Sequence, residues 1–124
     1  MKLSAILKHD LSYCDPKLKD QFHRTAKAQL KKVAEAMGLT PDQYDLRSNK
    51  GGIAVSGEVT LHTDSVYVQV GQFFHTPLNV LYRTCKGRKD YSGGSNHYCT
   101  ADALEDPEQF AKIELQYRLE GRRP

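Results

Sequence analysis

The stretch Gly57-Glu58-Val59-Thr60-Leu61-His62-Thr63-Asp64-Ser65-Val66-Tyr67-Val68-Gln69-Val70 decides the fold. Val59 and Leu61 alternate with Glu58, Thr60 and His62. After a polar turn, Val66, Val68 and Val70 alternate with Tyr67 and Gln69. A period of two with β-branched residues on one face is the pattern of half-buried strands, and the short turn makes the pair an antiparallel hairpin. Gly57, placed inside the alternating run that begins at Ile53, signals a bulge or the close approach of another backbone.

Moving outward, residues 78–85 continue the alternation and predict the next strand, and Tyr44–Ser48 predicts a short preceding one, with Asn49–Gly52 as a turn. Upstream the period changes. Asp15 and Pro16 make a helix start, Leu18, Phe22, Ala26, Leu30, Val33 and Met37 recur at helical spacing, and Gly38 supplies the stop. A helix over 16–37 follows. Before it, residues 1–14 give a short strand or helical turn that packs Leu3, Ile6 and Leu7. Downstream, Asp106-Pro107-Glu108-Gln109 opens a short helix. Ala111, Ile113, Leu115, Tyr117 and Leu119 then alternate with charged and polar residues, which predicts a final strand over 111–119. Gly121–Pro124 reads as a frayed basic tail. The expectation is one α+β domain over residues 1–124. It has one long N-terminal helix on an antiparallel meander of four to six strands, with a short helix before a C-terminal strand.

Composition bounds function. The 124 residues are 39% hydrophobic and 27% charged, with a net charge of +3. That charge permits a nucleic-acid partner without requiring one. No apolar run approaches the roughly 20 residues of a membrane span, and no apolar leader opens the chain. The chain therefore reads as cytosolic and complete, with no membrane role, and three cysteines are too few and too odd for a disulfide framework.

Chemistry concentrates in the loop after the fourth strand. Arg83, Lys86, Arg88 and Lys89 lie within seven residues, Gly87, Gly93 and Gly94 permit close backbone approach, and Tyr91 and Tyr98 offer stacking faces. Asn96 can read a base edge or hold an Asx turn. Backbone amides in such a loop can form an anion-binding nest, although it lacks the helix that P-loops and dinucleotide loops require. Arg83, Lys86, Arg88, Lys89, Tyr91, Asn96 and Tyr98 are thus the candidate contacts for nucleic acid or for a nucleic-acid-handling protein. An exposed loop that merely turns the chain has the same composition. The outer face of the long helix, with Lys17, Arg24, Lys27 and Lys31 beside Asp20 and Glu35, reads either as a solvated surface or as a phosphate-contacting stripe. Phe73, Phe74 and Pro77 are either core plugs or the apolar rim of a protein contact.

Cys85, His97 and Cys99 bracket the loop, with Cys14 or His75 available as a fourth ligand. No paired knuckle accompanies them, so neither a metal nor any other cofactor is expected. Cys85 and Cys99 read as half-buried residues that face each other across the loop. A nucleophilic role for either would need Arg83 and His97 beside it. As an alternative to binding, Glu58 as base, His62 or His97 as acid and Arg83 as charge stabiliser would make a small metal-independent ribonuclease.

The runs Gly52–His62 and Tyr82–His97 resemble the cadence of small uncharacterised proteins of bacteriophages and plasmids, over about half the chain. The resemblance implies a bacterial cytoplasm and a role against host defence. It assigns no site residue.

Overall fold

The computed structural model describes residues 1–13 and 15–121. A short helix α1 (Leu3–Ile6) precedes the long helix α2 (Pro16–Ala36). After a 3-10 turn at Pro41–Gln43 come β1 (Tyr44–Asn49), β2 (Glu58–Thr63), β3 (Val66–Gly71), β4 (Val80–Thr84) and β5 (His97–Cys99). The strands pair in chain order as one antiparallel sheet. Helix α2 begins and ends as its sequence dictates. The Asp15 carboxylate accepts the Lys17 N–H at 2.8 Å. At the other end Gly38 takes φ +78° while Leu39 N–H returns to Ala34 O at 3.1 Å.

Residues paired across neighbouring strands share a face. Leu46, Leu61, Val68 and Tyr82 form one row, and Ser48, Val59, Val70, Val80 and Cys99 the next. The β1 and β2 members of both rows lie under α2, whose Phe22, Ala26, Leu30 and Val33 complete the core with Leu3, Ile6 and Leu11, while Tyr82 on β4 packs against Phe110. Each fully buried aliphatic or Phe side chain there contributes roughly 1.5–3 kcal/mol. The opposite face carries Asp45, His62, Tyr67 and Arg83 in one row and Arg47, Thr60, Gln69, Leu81 and Tyr98 in the next.

Three expectations need correction. The final segment is a helix, not a strand: one α-turn at Pro107–Gln109 runs into a π-helical stretch, Phe110–Leu119, the two forming α3. Asp106 caps it by accepting from Gln109 N–H at 3.2 Å, and Glu108–Lys112 and Glu114–Arg118 pair at i,i+4. The wider i→i+5 winding, as in Glu120 N–H to Leu115 O at 2.9 Å, brings Phe110, Ala111 and Leu115 onto one buried face. Ordinary helical winding would spread the three over about 140°. Tyr117, which belonged to the alternating set, is half exposed. Helix propensity, a cap and two ion pairs outweigh an accidental period of two.

The fifth strand is instead the short β5. The third correction is at the start of β2, which begins at Glu58 rather than near Ile53. Gly57 lies at φ +72° with its Cα against Asn49 O and Lys50, where no Cβ fits. The backbone approach foreseen at Gly57 is thus found, and it ends the 50–57 loop.

Candidate functional site

The Gly-rich loop does not project. It folds back over the open sheet face, where it is fastened at four places. Asp90 lies inside the turn that its neighbours make, accepting Lys86 N–H (2.9 Å), Ser92 N–H (3.0 Å), Ser92 Oγ–H (3.2 Å) and Gly93 N–H (3.2 Å). Those amides are the donors that an anion nest offers to a ligand, and here the chain's own carboxylate takes them. They hold the Asp90 carboxyl down at about 2. Arg88 is engaged as well: its Nε meets Asp64 at 3.1 Å, its Nη1 Asp45 at 3.8 Å, and its Nη2 donates to Asp42 O at 2.6 Å.

The third fastening is His62, fully buried on β2. Arg47 Nη2 donates to its Nδ1 at 2.9 Å, so the ring proton is on Nε2, which donates to Gly87 O at 2.8 Å. The fourth is Arg83. Its guanidinium lies 4.2 Å above the Tyr67 ring and donates to Tyr91 O, and Gly93 packs on its stem. Arg83 is 8% exposed, its Nε has no acceptor, and no carboxylate pairs with it among the described residues. Tyr91 closes the cluster, its ring 5.3 Å from His62 and 5.4 Å from the Arg47 guanidinium.

Burial pushes the His62 imidazole below its ordinary value, against the opposing pull of the Gly87 carbonyl. A lowered folded value means that this fastening is complete above about pH 6.5 and weakens as pH falls below it. Protonation at Nδ1 would also turn the acceptor of Arg47 into a second cation. Arg47, Arg83 and Asp45 set the charge around the ring, with Tyr67 and Tyr91 packed against it. Asp90, ionised down to about 2, stays fastened through the same range. The Gly87 and Tyr91 amide resonances are therefore expected to titrate together with the His62 ring as pH falls below about 6.5. If they stay fixed while the ring protonates, His62 does not hold the loop.

Of the residues singled out in the loop, Arg83 and Arg88 are thus engaged internally, while Tyr91 touches His62 and Arg47 and is 60% exposed. Tyr98 shares a hydrogen bond of 2.9 Å with His75. Lys86, Lys89 and Asn96 are exposed, and the two lysines form no ion pair among the described residues.

The acid–base alternative is not assembled. Glu58 lies four residues from His62 along β2, about 13 Å away, and accepts from Asn49 Nδ2 at 3.3 Å. His97 is on the helix-facing side, stacked on Tyr82 at 5.5 Å. Only His62 and Arg83 share a row, with Tyr67 between them.

The cysteine pair is corrected by register. Cys99 pairs with Val80 at one end of β4, while Cys85 follows its other end, about 16 Å away. They cannot face each other. Cys85 donates to Thr63 O at 3.3 Å, and burial raises both thiols, that of Cys99 to about 12. A nucleophile needs the opposite shift. Among the described residues no three His, Cys, Asp or Glu side chains converge as metal ligands; Cys14 lies outside them. Nor is any helix among them long and apolar enough to cross a membrane.

The free charge is elsewhere. Within α2, six lysines and arginines face two acids, a net of +4, while the whole chain carries +3. The rest of the protein therefore sums to −1. Lys17, Arg24, Lys27 and Lys31 fall within about 80° of the helix circumference and span about 21 Å of its length. All four are exposed and form no ion pair among the described residues. Asp20, the acid between Lys17 and Arg24, is neutralised by Lys50 from the 50–57 loop, which lowers its carboxyl, and Glu35 lies on the same face four residues past Lys31. That neutralisation needs the tertiary fold, and nothing local to α2 announces it.

Comparison with protein-family models, with curated proteins and with solved structures finds no match.

Proposed function

We propose that the protein binds nucleic acid through the cationic face of α2, and that it acts by binding rather than by catalysis. The observation that supports this is the charge distribution. The positive excess of the chain lies on α2, and four of its six cations share one exposed face in a stripe long enough to follow a phosphate backbone, with Glu35 at its C-terminal end and Asp20 within it neutralised by Lys50. The Gly-rich loop, with most of its donors turned inward, serves to hold the sheet face and leaves Lys86 and Lys89 as minor contributors. The resemblance to small bacteriophage and plasmid proteins is the ground for placing this binding in a bacterial cytoplasm, in a role against host defence.

Four phosphate contacts predict that log K falls with log salt at a slope of about −3 to −4. Fluorescence anisotropy with a labelled oligonucleotide between 50 and 300 mM salt measures it. A salt-independent affinity, or no binding at 50 mM, would remove this reading. The Lys86→Ala/Lys89→Ala variant should keep the wild-type slope.

A further inference from the structure

At the start of α2, beside the stripe, lies an open cleft of about 300 Å³. Its walls are Leu11, Pro16, Ile53 and the bare backbone of Gly51 and Gly52, and Lys19, Asp20 and Lys50 stand at its rim. Ile53 is 77% exposed, an expensive way to place an isoleucine. It is also held in place. Tyr13, 73% exposed and at φ +57°, donates its N–H to Ile53 O at 2.6 Å. Lys19 Nζ donates to Gly52 O at 2.9 Å. His23 accepts from Ser48 Oγ–H at 2.7 Å and donates from Nε2 to Ser56 O at 3.0 Å, tying the far end of the loop to α2. The N-terminal wall is fixed by Gln72, which accepts Leu11 N–H at 3.0 Å and donates to Leu7 O and His9 O.

The cleft and the stripe share Asp20 and its partner Lys50, so they form one continuous surface. The cations run in single file, which suits one phosphate backbone rather than the two edges of a duplex groove. The cleft is at the small end of ligand sites, which run from roughly 300 to 1,000 Å³. It is walled by apolar surface that can lie against a ring face and rimmed by charged groups. We infer that the cleft takes one unpaired base of a single-stranded nucleic acid whose phosphates lie along Lys17, Arg24, Lys27 and Lys31. This rests on the nucleic-acid reading of α2 and names the form of the ligand. A duplex, whose bases are paired and stacked, cannot fill the cleft.

The test compares 12-nucleotide single strands of DNA and of RNA with a duplex of the same sequence, for the wild type and for Ile53→Ser and Ile53→Val. Ile53 is exposed, so neither substitution alters the melting temperature. Half-covering an isoleucine side chain with a base is worth up to about tenfold in affinity. Wild type should prefer a single strand over duplex by about that factor. Ile53→Ser should abolish the preference while duplex affinity and the salt slope stay unchanged, and Ile53→Val should restore it. Either sugar satisfying this pattern supports the inference and identifies the natural strand. Equal affinity for single strand and duplex overturns it, as does an Ile53→Ser variant that binds single strands like wild type. In both cases loss of affinity on replacing Arg24, Lys27 and Lys31 by alanine would still support α2 as the contact face, so failure of the cleft is separable from failure of the stripe.

Discussion

Replacing Arg24, Lys27 and Lys31 together by alanine is expected to weaken oligonucleotide binding about 100-fold at 0.1 M salt. Each phosphate contact to a single strand contributes a slope of about 0.7, so three contacts amount to about two powers of ten at that salt. The slope itself should fall by about 2. The loss cannot come from unfolding. All three side chains are exposed, and alanine is the strongest helix former. Arg24 and Lys27 are three residues apart and Lys27 and Lys31 four, distances at which like charges repel by a few tenths of a kcal/mol. Arg24 also attracts Asp20 four residues before it, and Lys31 faces Glu35 four residues after it, so the small terms offset and the variant should melt close to the wild-type temperature. Unchanged affinity in the triple variant would end the α2 reading.

Gly93→Ala is expected to lower the melting temperature by roughly 4–12 °C, from an overpacking cost of about 1–3 kcal/mol. A Cβ there would fall inside contact distance of Thr84 O, 2.9 Å from Arg83 Nε and 3.1 Å from Arg83 Cδ. Neither neighbour can give way. Thr84 O is fixed at the end of β4 and accepts Gly94 N–H at 3.0 Å. Arg83 is held between the Tyr67 ring and Tyr91 O. The loop must lift instead, giving up the His62–Gly87 bond as it goes. Gly87→Ala is the control in the same loop, since a Cβ at Gly87 meets nothing within 4 Å. If the two variants melt together, the loop is not clamped over the sheet. Nucleic-acid affinity should be the same in both.

Much of the fold is legible because its signals are local. Asp15, Pro16 and Gly38 delimit α2 within a residue, and alternation identifies β2 and β3 with the turn between them. The C-terminal helix is misread for an instructive reason: the period of two in 111–119 is real, but the packing that decides the matter uses an i→i+5 winding that ordinary helical patterning does not test. The Gly-rich loop is recognised as chemically dense, yet its direction is not readable. Arg88 finds its partners 24, 43 and 46 residues away in Asp64, Asp45 and Asp42, and only the folded chain shows Asp90 inside its own nest. Arg47, which fixes the His62 tautomer, gave no signal beyond its place on a short strand. The α2 stripe is visible as charge at helical spacing. What sequence alone could not supply is the contrast between its free cations and the engaged arginines of the loop.

The most direct measurement is an oligonucleotide titration followed by amide chemical shifts. With a 12-nucleotide single strand, the largest shifts should fall on residues 16–35 of α2 and on 50–53 at the cleft, while residues 86–94 stay close to their free positions. Shifts concentrated in 86–94, with α2 unmoved, would contradict the assignment and return the contact surface to the Gly-rich loop.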